Sequence, residues 1–462
     1  MTMGRRGPQQ ESMLVPADRG PSHTFYDRLN KELDEAGFDK KVEALCERFF
    51  ETEETRGRPS VQPGMYFRML MVGYFEGIES ERGIEWRCTD SLSLRRFIGV
   101  PDGKRVPDHS TLSRMRQRLD DSVFSDVFDI VLGLVNSHGL LKGVTLGADS
   151  TQLRADASMK AIVRKDTGES YQEYTKRLAA AEGAEKPSAD DARRHDRKRK
   201  GKKTSNTEWE SKTDEDARIA RMKNGTTRLA HKAEHVVDID TGAIVEVALH
   251  PANEHDTATL EKSLTKAVER IEAVQEAKSA EPRELVTDKG YHKLVLLVAL
   301  AAMGFRTFIP EPKQAGERHW VNKPAGVKEA FHQNRGRCRR KKGKRLLRSR
   351  GELLERPNAH LYETGAMRRL RLRGRANAQK RLVIHAAAAN LGLVMRRKYG
   401  AGTPRGAAQQ AAQFFAAMLA TCWGQLLLAL GFPTDTKPPG GPAPSSHSAA
   451  ATLAAASSST GC

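Results

Sequence analysis

The sequence predicts an α/β chain, with a mixed β-sheet flanked by helices and an all-helical N-terminal region before it. Three observations carry that expectation. Up to residue 141, apolar residues recur at three- to five-residue steps, which is helical spacing. The period then changes, and GVTLGADSTQLRADA (143–157) alternates as a strand does. Further on, ELVTDKGYHK (284–293) has a short apolar lead-in to Asp288, a Lys289-Gly290 turn and then the helical LVLLVALAAMGF. That is the pattern of a buried strand ending in a carboxylate at the mouth of a sheet, where ligands and chemistry collect. An isolated acid there also serves as a helix cap or turn former.

Composition narrows the function. The chain has 462 residues, of which 38% are hydrophobic and 29% charged, enough for two or three domains with a sizeable core. A formal net charge of +19 and a pI near 9.7 favour a polyanionic partner, with nucleic acid the default. The five cysteines are scattered, so neither a disulfide framework nor a zinc ribbon is indicated, which suits a reducing cytoplasm. MTMGRRGPQQES has no apolar core behind its arginines and is not read as a signal peptide. The apolar stretch 411–432 approaches spanning length, but Gln413 and Gln425 interrupt it, and a packing helix is expected. No Gly-Lys-Ser/Thr phosphate loop is present, so nucleotide hydrolysis is not expected.

In chain order, residues 1–22 read as a disordered leader and 23–141 as a helical DNA-binding or dimerisation domain. One helix is expected from 25 to 50, a second after RGRPS with Pro63 near its start, and a short third at 91–100. After the turn PDGKRVP, Asp108 or Ser110 can cap a helix carrying Arg114, Arg116 and Arg118. Helix, turn and capped basic helix is helix-turn-helix grammar, and it also suits a plain bundle with a solvated basic face. A last helix, 122–141, closes on His138 and Gly139. The catalytic region is expected over 142–400. Within it, 157–225 reads as a polar insertion or arm whose basic peak includes Arg197, Lys198, Arg199 and Lys200, suited to phosphate contact or simply solvated. TRLAHKAEHVVDIDTGAIVEVALHP (227–251) is a hairpin turning at Asp240-Thr241-Gly242. Helix 256–274, the Asp288 strand, a helix and the strand RTFIPEP follow. The RNase H-like fold has this order of elements. A basic run with Arg339, Arg340, Lys341, Lys342 and Arg348 precedes Glu355 and Arg356, and 379–397 is an amphipathic helix. A C-terminal helix (401–432) and a Pro, Gly, Ser and Ala-rich disordered tail (433–462) complete the chain.

Asp149, Asp288 and Glu355 together suit divalent metal. Phosphodiester cleavage without a protein nucleophile uses two ions roughly 3.5–4 Å apart, and Mg²⁺ or Mn²⁺ take oxygen ligands and keep several waters. Asp149 would bridge the ions, with Asp288 and Glu355 holding one each. Glu352 and Glu363 are rivals to Glu355, and Asp156, Asp214 and Asp216 rank lower. Helical spacing puts residues 355, 359 and 362 on one face, pointing Tyr362 toward the same groove.

VPDHSTLSRMRQRL, GADST, LVTDKGYH, RGELLERPNAHLYETGAMRRLRLRG and ANLGLVMRR, in this order, resemble the DDE transposases of bacterial insertion sequences, nearest the IS-four/IS-five-like group. The resemblance spans residues 55 to 400. It implies an RNase H-like catalytic domain, two Mg²⁺ or Mn²⁺ per site, and catalytic acids at Asp149, Asp288 and Glu355. It also implies double-stranded DNA partners (element ends and target), a homodimer or higher multimer, and a cytoplasmic, nucleoid-associated place in a bacterium. No membrane or nucleotide partner is expected. Two departures stand out. Asn358 occupies a position where such proteins carry an aromatic residue, so loss of a core contact under the glutamate helix is expected. Tyr362 sits where a lysine is expected. A nuclease of the same fold, or a DNA-binding regulator without catalysis, fits the same residues.

Overall fold

The computed structural model describes Met3 and residues 23–50, 60–101, 103–183, 187–200, 204–275, 283–313 and 320–430. All but Met3 of the expected leader, and the whole expected tail, lie outside these residues. The chain divides into a unit ending at Ala408 and a second beginning at Gln409.

An all-helical region comes first: α1 (His23–Glu35), α2 (Phe38–Cys46), α3 (Pro63–Phe75), α4 (Glu81–Asp90), α5 (Leu92–Ile98), α6 (His109–Arg118) and α7 (Asp121–Ser137). Where one helix was expected over 25–50, Gly37 at φ +64 separates two, because glycine enters the left-handed region without a Cβ clash. Pro63 starts α3, Ser91 caps α5, and the Asp108 carboxylate caps α6 by accepting from Thr111 N–H at 2.7 Å. α3 is buried on every face, and Arg68 within it is 0% exposed. The Arg68 guanidinium donates to Asp39 at 2.8 Å and Asp34 at 3.0 Å, and also to Asn30.

The sheet follows, built from β1 (Thr145–Arg154), β2 (Ile162–Arg164), α8 (Tyr171–Ala181), α9 (Ala189–Lys198), β3 (Trp209–Ser211), β4 (Arg218–Arg221), β5 (Thr227–Asp238), β6 (Ile244–Pro251), α10 (Asp256–Gln275), β7 (Glu284–Val286), α11 (Leu294–Ala302) and β8 (Arg306–Phe308). The strand order is β4-β5-β1-β7-β8, with β6 also on β5. β5 is antiparallel to β1, β4 and β6, whereas β7 and β8 run parallel to β1 and to each other. This is a mixed sheet flanked by helices after an all-helical region. The expected hairpin forms β5 and β6, with Gly242 at φ +83.

The segment 157–225, expected as an insertion or arm, lies between β1 and β5 and is folded over its described residues. Capping boxes start α8 at Ser170 and α9 at Ser188, β2 pairs with β3, and Trp209 is buried beside Tyr171 and Tyr174. β4 joins the main sheet. Few but large aromatic groups make this small core, so low apolar content understated it.

α12 (Val327–Arg339), α13 (Lys341–Ala359), α14 (Arg375–Tyr399) and α15 (Pro404–Ala429) complete the order. α14 packs on α7, α3 and β6. Its Gln379 and Asn390 side chains bond the free edge of β6, Gln379 at Leu249 N–H and Val247 C=O and Asn390 at Ile244 N–H and C=O, which covers an edge open to mispairing. Lys380 donates to the Arg116 and Leu119 carbonyls at the end of α6, and Arg381 to the Ile78 and Glu79 carbonyls. In α15, read from sequence as a packing helix, Phe414, Leu419 and Trp423 are each more than 60% exposed. No helix among the described residues is long and apolar enough to cross a membrane.

Arg68→Met takes the buried guanidinium away from Asp39, Asp34 and Asn30 at once. Arg68→Met is expected to lower unfolding free energy by about 3 kcal/mol or more, read from urea denaturation. A loss under about 1 kcal/mol would show that the ion pair does not hold α1, α2 and α3 together.

Candidate active site

β1 is paired on both edges over its first half. Its parallel register with β7 sets Thr145 opposite Glu284, Leu146 opposite Leu285 and Gly147 opposite Val286. Continued two residues past its last pair, that register brings Asp149 abreast of Asp288, which lies just beyond the end of β7 and whose charge acts on Asp149. On the other edge Asp149 is the register partner of His235 in β5. β7 stops because Asp288 caps a tight turn, Lys289–Tyr291, accepting from Gly290 N–H at 2.8 Å. The capping role and the strand-end carboxylate are thus the same residue.

A buried polar network fixes this turn. Tyr291 donates to Glu234 at 3.2 Å, and Glu234 also accepts from Thr259 and Ser263 of α10. Lys232 bonds Thr259 and Asp256, and Asp256 accepts from Ser150 at 2.7 Å. Ser150 therefore faces α10, and its neighbour Asp149 faces the opposite side of the sheet. On that side α13 lies across β1. Gly147 makes room, since a Cβ there would fall 2.6 Å from Leu354 and 2.5 Å from Ile239. One turn past Leu354, Asn358 Nδ2 donates to Asp149 Oδ2 at 3.0 Å.

Burial pushes the Asp149 carboxyl above its ordinary range and the Asp288 charge adds to this; Lys223, the Ser150 N–H and Arg350 draw it back. Beneath Asp149, the Tyr362 hydroxyl meets His235 Nε2 at 3.0 Å. Burial holds His235 down at about 3 and raises Tyr362 well above 10.

Residues 15–118 match the family model "Transposase domain (DUF772)", and residues 202–391 match "Transposase DDE domain". Together the matches cover well over half of the chain. The chain belongs to the DDE transposases. The second match includes Asp288 and Glu355 and begins after Asp149. No curated protein matches the chain. Among solved structures, the cryo-EM structure of the piggyBac transposase synaptic complex with hairpin DNA is similar at 10% identity, covering 84% of this chain and 77% of that one, with a TM-score of 0.33. A likeness that distant says nothing further about this transposase.

Within the transposase, Glu355 is exposed on α13 and has no hydrogen-bonded or ion-paired partner among the described residues. Its rivals are engaged: Glu352 with Arg356, Glu363 with Arg368, Asp156 with Arg369, Asp214 with buried His231, and Asp216 with Arg375 N–H. No three acidic, His or Cys side chains among the described residues are grouped to hold a metal. The oxygens present do fit a hard cation. Asp149 and Asp288 repel one another, and Asn358, which is bonded to Asp149, has its Oδ1 buried without a hydrogen-bond partner. Asn358 thus makes a polar contact with Asp149 where loss of a core contact was expected. Tyr362 does not point into the groove. After Pro357 the helix widens into a π turn, His360–Thr364, and this rotation buries Tyr362 against His235.

Of the basic residues singled out, Arg114, Arg197, Lys198, Lys200, Arg339, Arg340, Lys341 and Arg348 are exposed. Arg118 is also exposed and stacks over Phe50, Lys342 pairs with Glu284, and Arg199 is held by Asp196. Arg116 corrects the expectation: it is 9% exposed, bonded to Glu81 and Asn377, and ties α6 to α4 and α14. Sequence reasoning missed Asp256, the contact of Asn358 with Asp149, and an arginine cluster. Arg154 bridges to Arg369, Arg228 lies two residues before its β5 partner Ala230, and Arg371 is close by. Neither Arg154 nor Arg228 has a hydrogen-bonded or ion-paired side-chain partner among the described residues. The strand pairing that unites the cluster is not visible as a local charge run.

Because the folded His235 value lies below 6.5, the unfolded chain takes up a proton under that pH while the folded chain does not. Its contribution is complete above pH 6.5 and falls toward pH 3 by about 1.4 kcal/mol per unit. His235→Phe is expected to flatten the loss of stability between about pH 7.5 and 5, measured by urea unfolding. An unchanged pH slope would show that His235 takes up its proton in the folded state.

Proposed function

We propose that this chain is the transposase of a bacterial insertion sequence, with an RNase H-like catalytic domain over 142–400 and a helical domain over 23–141 that binds terminal inverted repeats and dimerises. The observation that carries this reading is the shared register of β1 and β7, which sets Asp149 level with Asp288 under α13. Asp149, Asp288 and Glu355 act as the catalytic acids, Glu355 joining from one helical turn before Asn358. Two Mg²⁺ or Mn²⁺ ions bound there would activate a water and stabilise the leaving oxygen. Attack by that water on phosphorus breaks the P–O3′ bond at the element end, leaving a 3′-hydroxyl and a 5′-phosphate. The 3′-hydroxyl then displaces a 3′ oxygen at a target phosphate in the same site, without a covalent protein intermediate. A multimer holding two ends in the nucleoid of the bacterial cytoplasm fits this chemistry.

The exposed arginines and lysines of α6, α9, α12 and α13, with Arg154 and Arg228, hold the DNA backbone in this scheme. Such contacts give affinity without reading sequence.

The deciding experiment is cleavage of labelled DNA carrying the element's own ends with Mg²⁺ or Mn²⁺. Divalent-dependent 3′-hydroxyl ends, lost by at least about 100-fold in Asp288→Ala, are expected, and joined products separate a transposase from a nuclease. Tight end binding without cleavage by the unaltered protein would leave a DNA-binding regulator.

Arg154→Gln with Arg228→Gln is expected to weaken binding to any duplex and to reduce the slope of log affinity against log salt by about 1.8, the value for two lost phosphate contacts. An unchanged slope in a filter-binding titration would remove this cluster from the DNA path.

A further inference from the structure

The amide of Asn358 is the polar group laid against Asp149 from α13, and its two ends are in different circumstances. Nδ2 donates to Asp149 Oδ2 at 3.0 Å, whereas Oδ1 is buried with no hydrogen-bond partner. The orientation follows from chemistry. An ionised carboxylate only accepts, so it is the NH₂ of the amide and not its oxygen that bonds Asp149 Oδ2. A buried acceptor left without a donor costs on the order of 1–3 kcal/mol, and a cation is the partner that would satisfy it and the repelling carboxylates together.

We infer that Asn358 is part of the divalent-ion site, its Nδ2 orienting Asp149 and its Oδ1 supplying a neutral oxygen to the ion's coordination sphere. This rests on the metal-dependent reading of Asp149 and Asp288 and adds to it a residue outside the acidic set. It also gives α13 a reason to be anchored here. Leu354 seats the helix over Gly147, Asn358 locks it to Asp149, and Glu355 is carried on the turn between them. Two carboxylates and an amide oxygen form an all-oxygen donor set of the kind Mg²⁺ and Mn²⁺ accept while keeping waters. An apolar side chain of similar volume at 358 would keep the packing and lose both functions.

The test is Mn²⁺ binding to the full chain without DNA, by calorimetry and by loss of the free-ion electron paramagnetic resonance signal. Asn358→Leu is compared with Asn358→Asp, Asp149→Asn and unaltered protein. Asn358→Leu is expected to weaken Mn²⁺ by about 10-fold or more, as loss of an orienting partner of a ligand does, while retaining its circular dichroism in EDTA. Asn358→Asp sets a third carboxylate against Asp149. It is expected to melt below the unaltered protein in EDTA and to gain more from Mn²⁺ than that protein does. A structural role alone would not reverse sign with metal in this way.

Mn²⁺ affinity unchanged in Asn358→Leu but lost in Asp149→Asn overturns the role of Asn358 and leaves the two-aspartate reading standing. Loss of binding in Asn358→Asp equal to that in Asn358→Leu overturns it as well. Absence of saturable Mn²⁺ binding in the unaltered protein, or binding indifferent to Asp149→Asn, overturns both this inference and the reading beneath it.

Discussion

The structure depends on β1 being paired along both edges. Hydrogen bonds to β5 and β7 leave its backbone no freedom to slip, and a shift of one residue would turn Asp149 to the α10 face and Ser150 to the α13 face. Both faces are specified independently. Ser150 is bonded to Asp256 on one side, and Asp149 to Asn358 on the other. Gly147 reinforces the register, because only a residue without a Cβ leaves room for Leu354 and Ile239. The location of the carboxylate is therefore a property of the whole sheet.

α14 makes the helical region and the sheet one body. It is buried along most of its length, and four of its polar side chains bond neighbouring elements at three places. Gln379 and Asn390 close the β6 edge, Lys380 binds the end of α6, and Arg381 binds the carbonyls after α3. Charges this deep are tolerated because carbonyl oxygens accept hydrogen bonds from their N–H groups. Arg116, which reads in sequence as a DNA contact, belongs to the same seam.

The order of strands and helices was legible because each segment kept its own period: two in the hairpin, near 3.6 in the helices. Asp149 and Asp288 were legible because apolar strands led into each of them. Of the two readings of 157–225, insertion or arm, sequence could not favour the folded one, because its core uses Trp209, Tyr171 and Tyr174 in place of a hydrophobic run. Asn358 was misread because composition shows a missing aromatic and not the carboxylate 209 residues earlier in the chain that it meets. Tyr362 was misplaced by an assumption of regular helix. A π turn adds a residue to one turn and rotates everything after it, and only the structure shows where that occurs.

That rotation bears on how the site holds its charge. With Tyr362 and His235 closing the floor under Asp149, water does not reach the carboxylate from below, and burial raises the cost of its ionised form. His235 is kept neutral by the same burial and offers no compensating charge. Relief comes from Lys223, the Ser150 N–H and Arg350, and Asn358 donates one hydrogen bond. The buried His235 and Tyr362 are neutral neighbours, and Lys223 and Arg350 are the cations whose charges reach Asp149. A carboxylate in such a setting is held in place by the fold while its charge is incompletely satisfied by it. A divalent cation at Asp149, as proposed for this site, would therefore gain more than at a fully solvated or fully ion-paired acid.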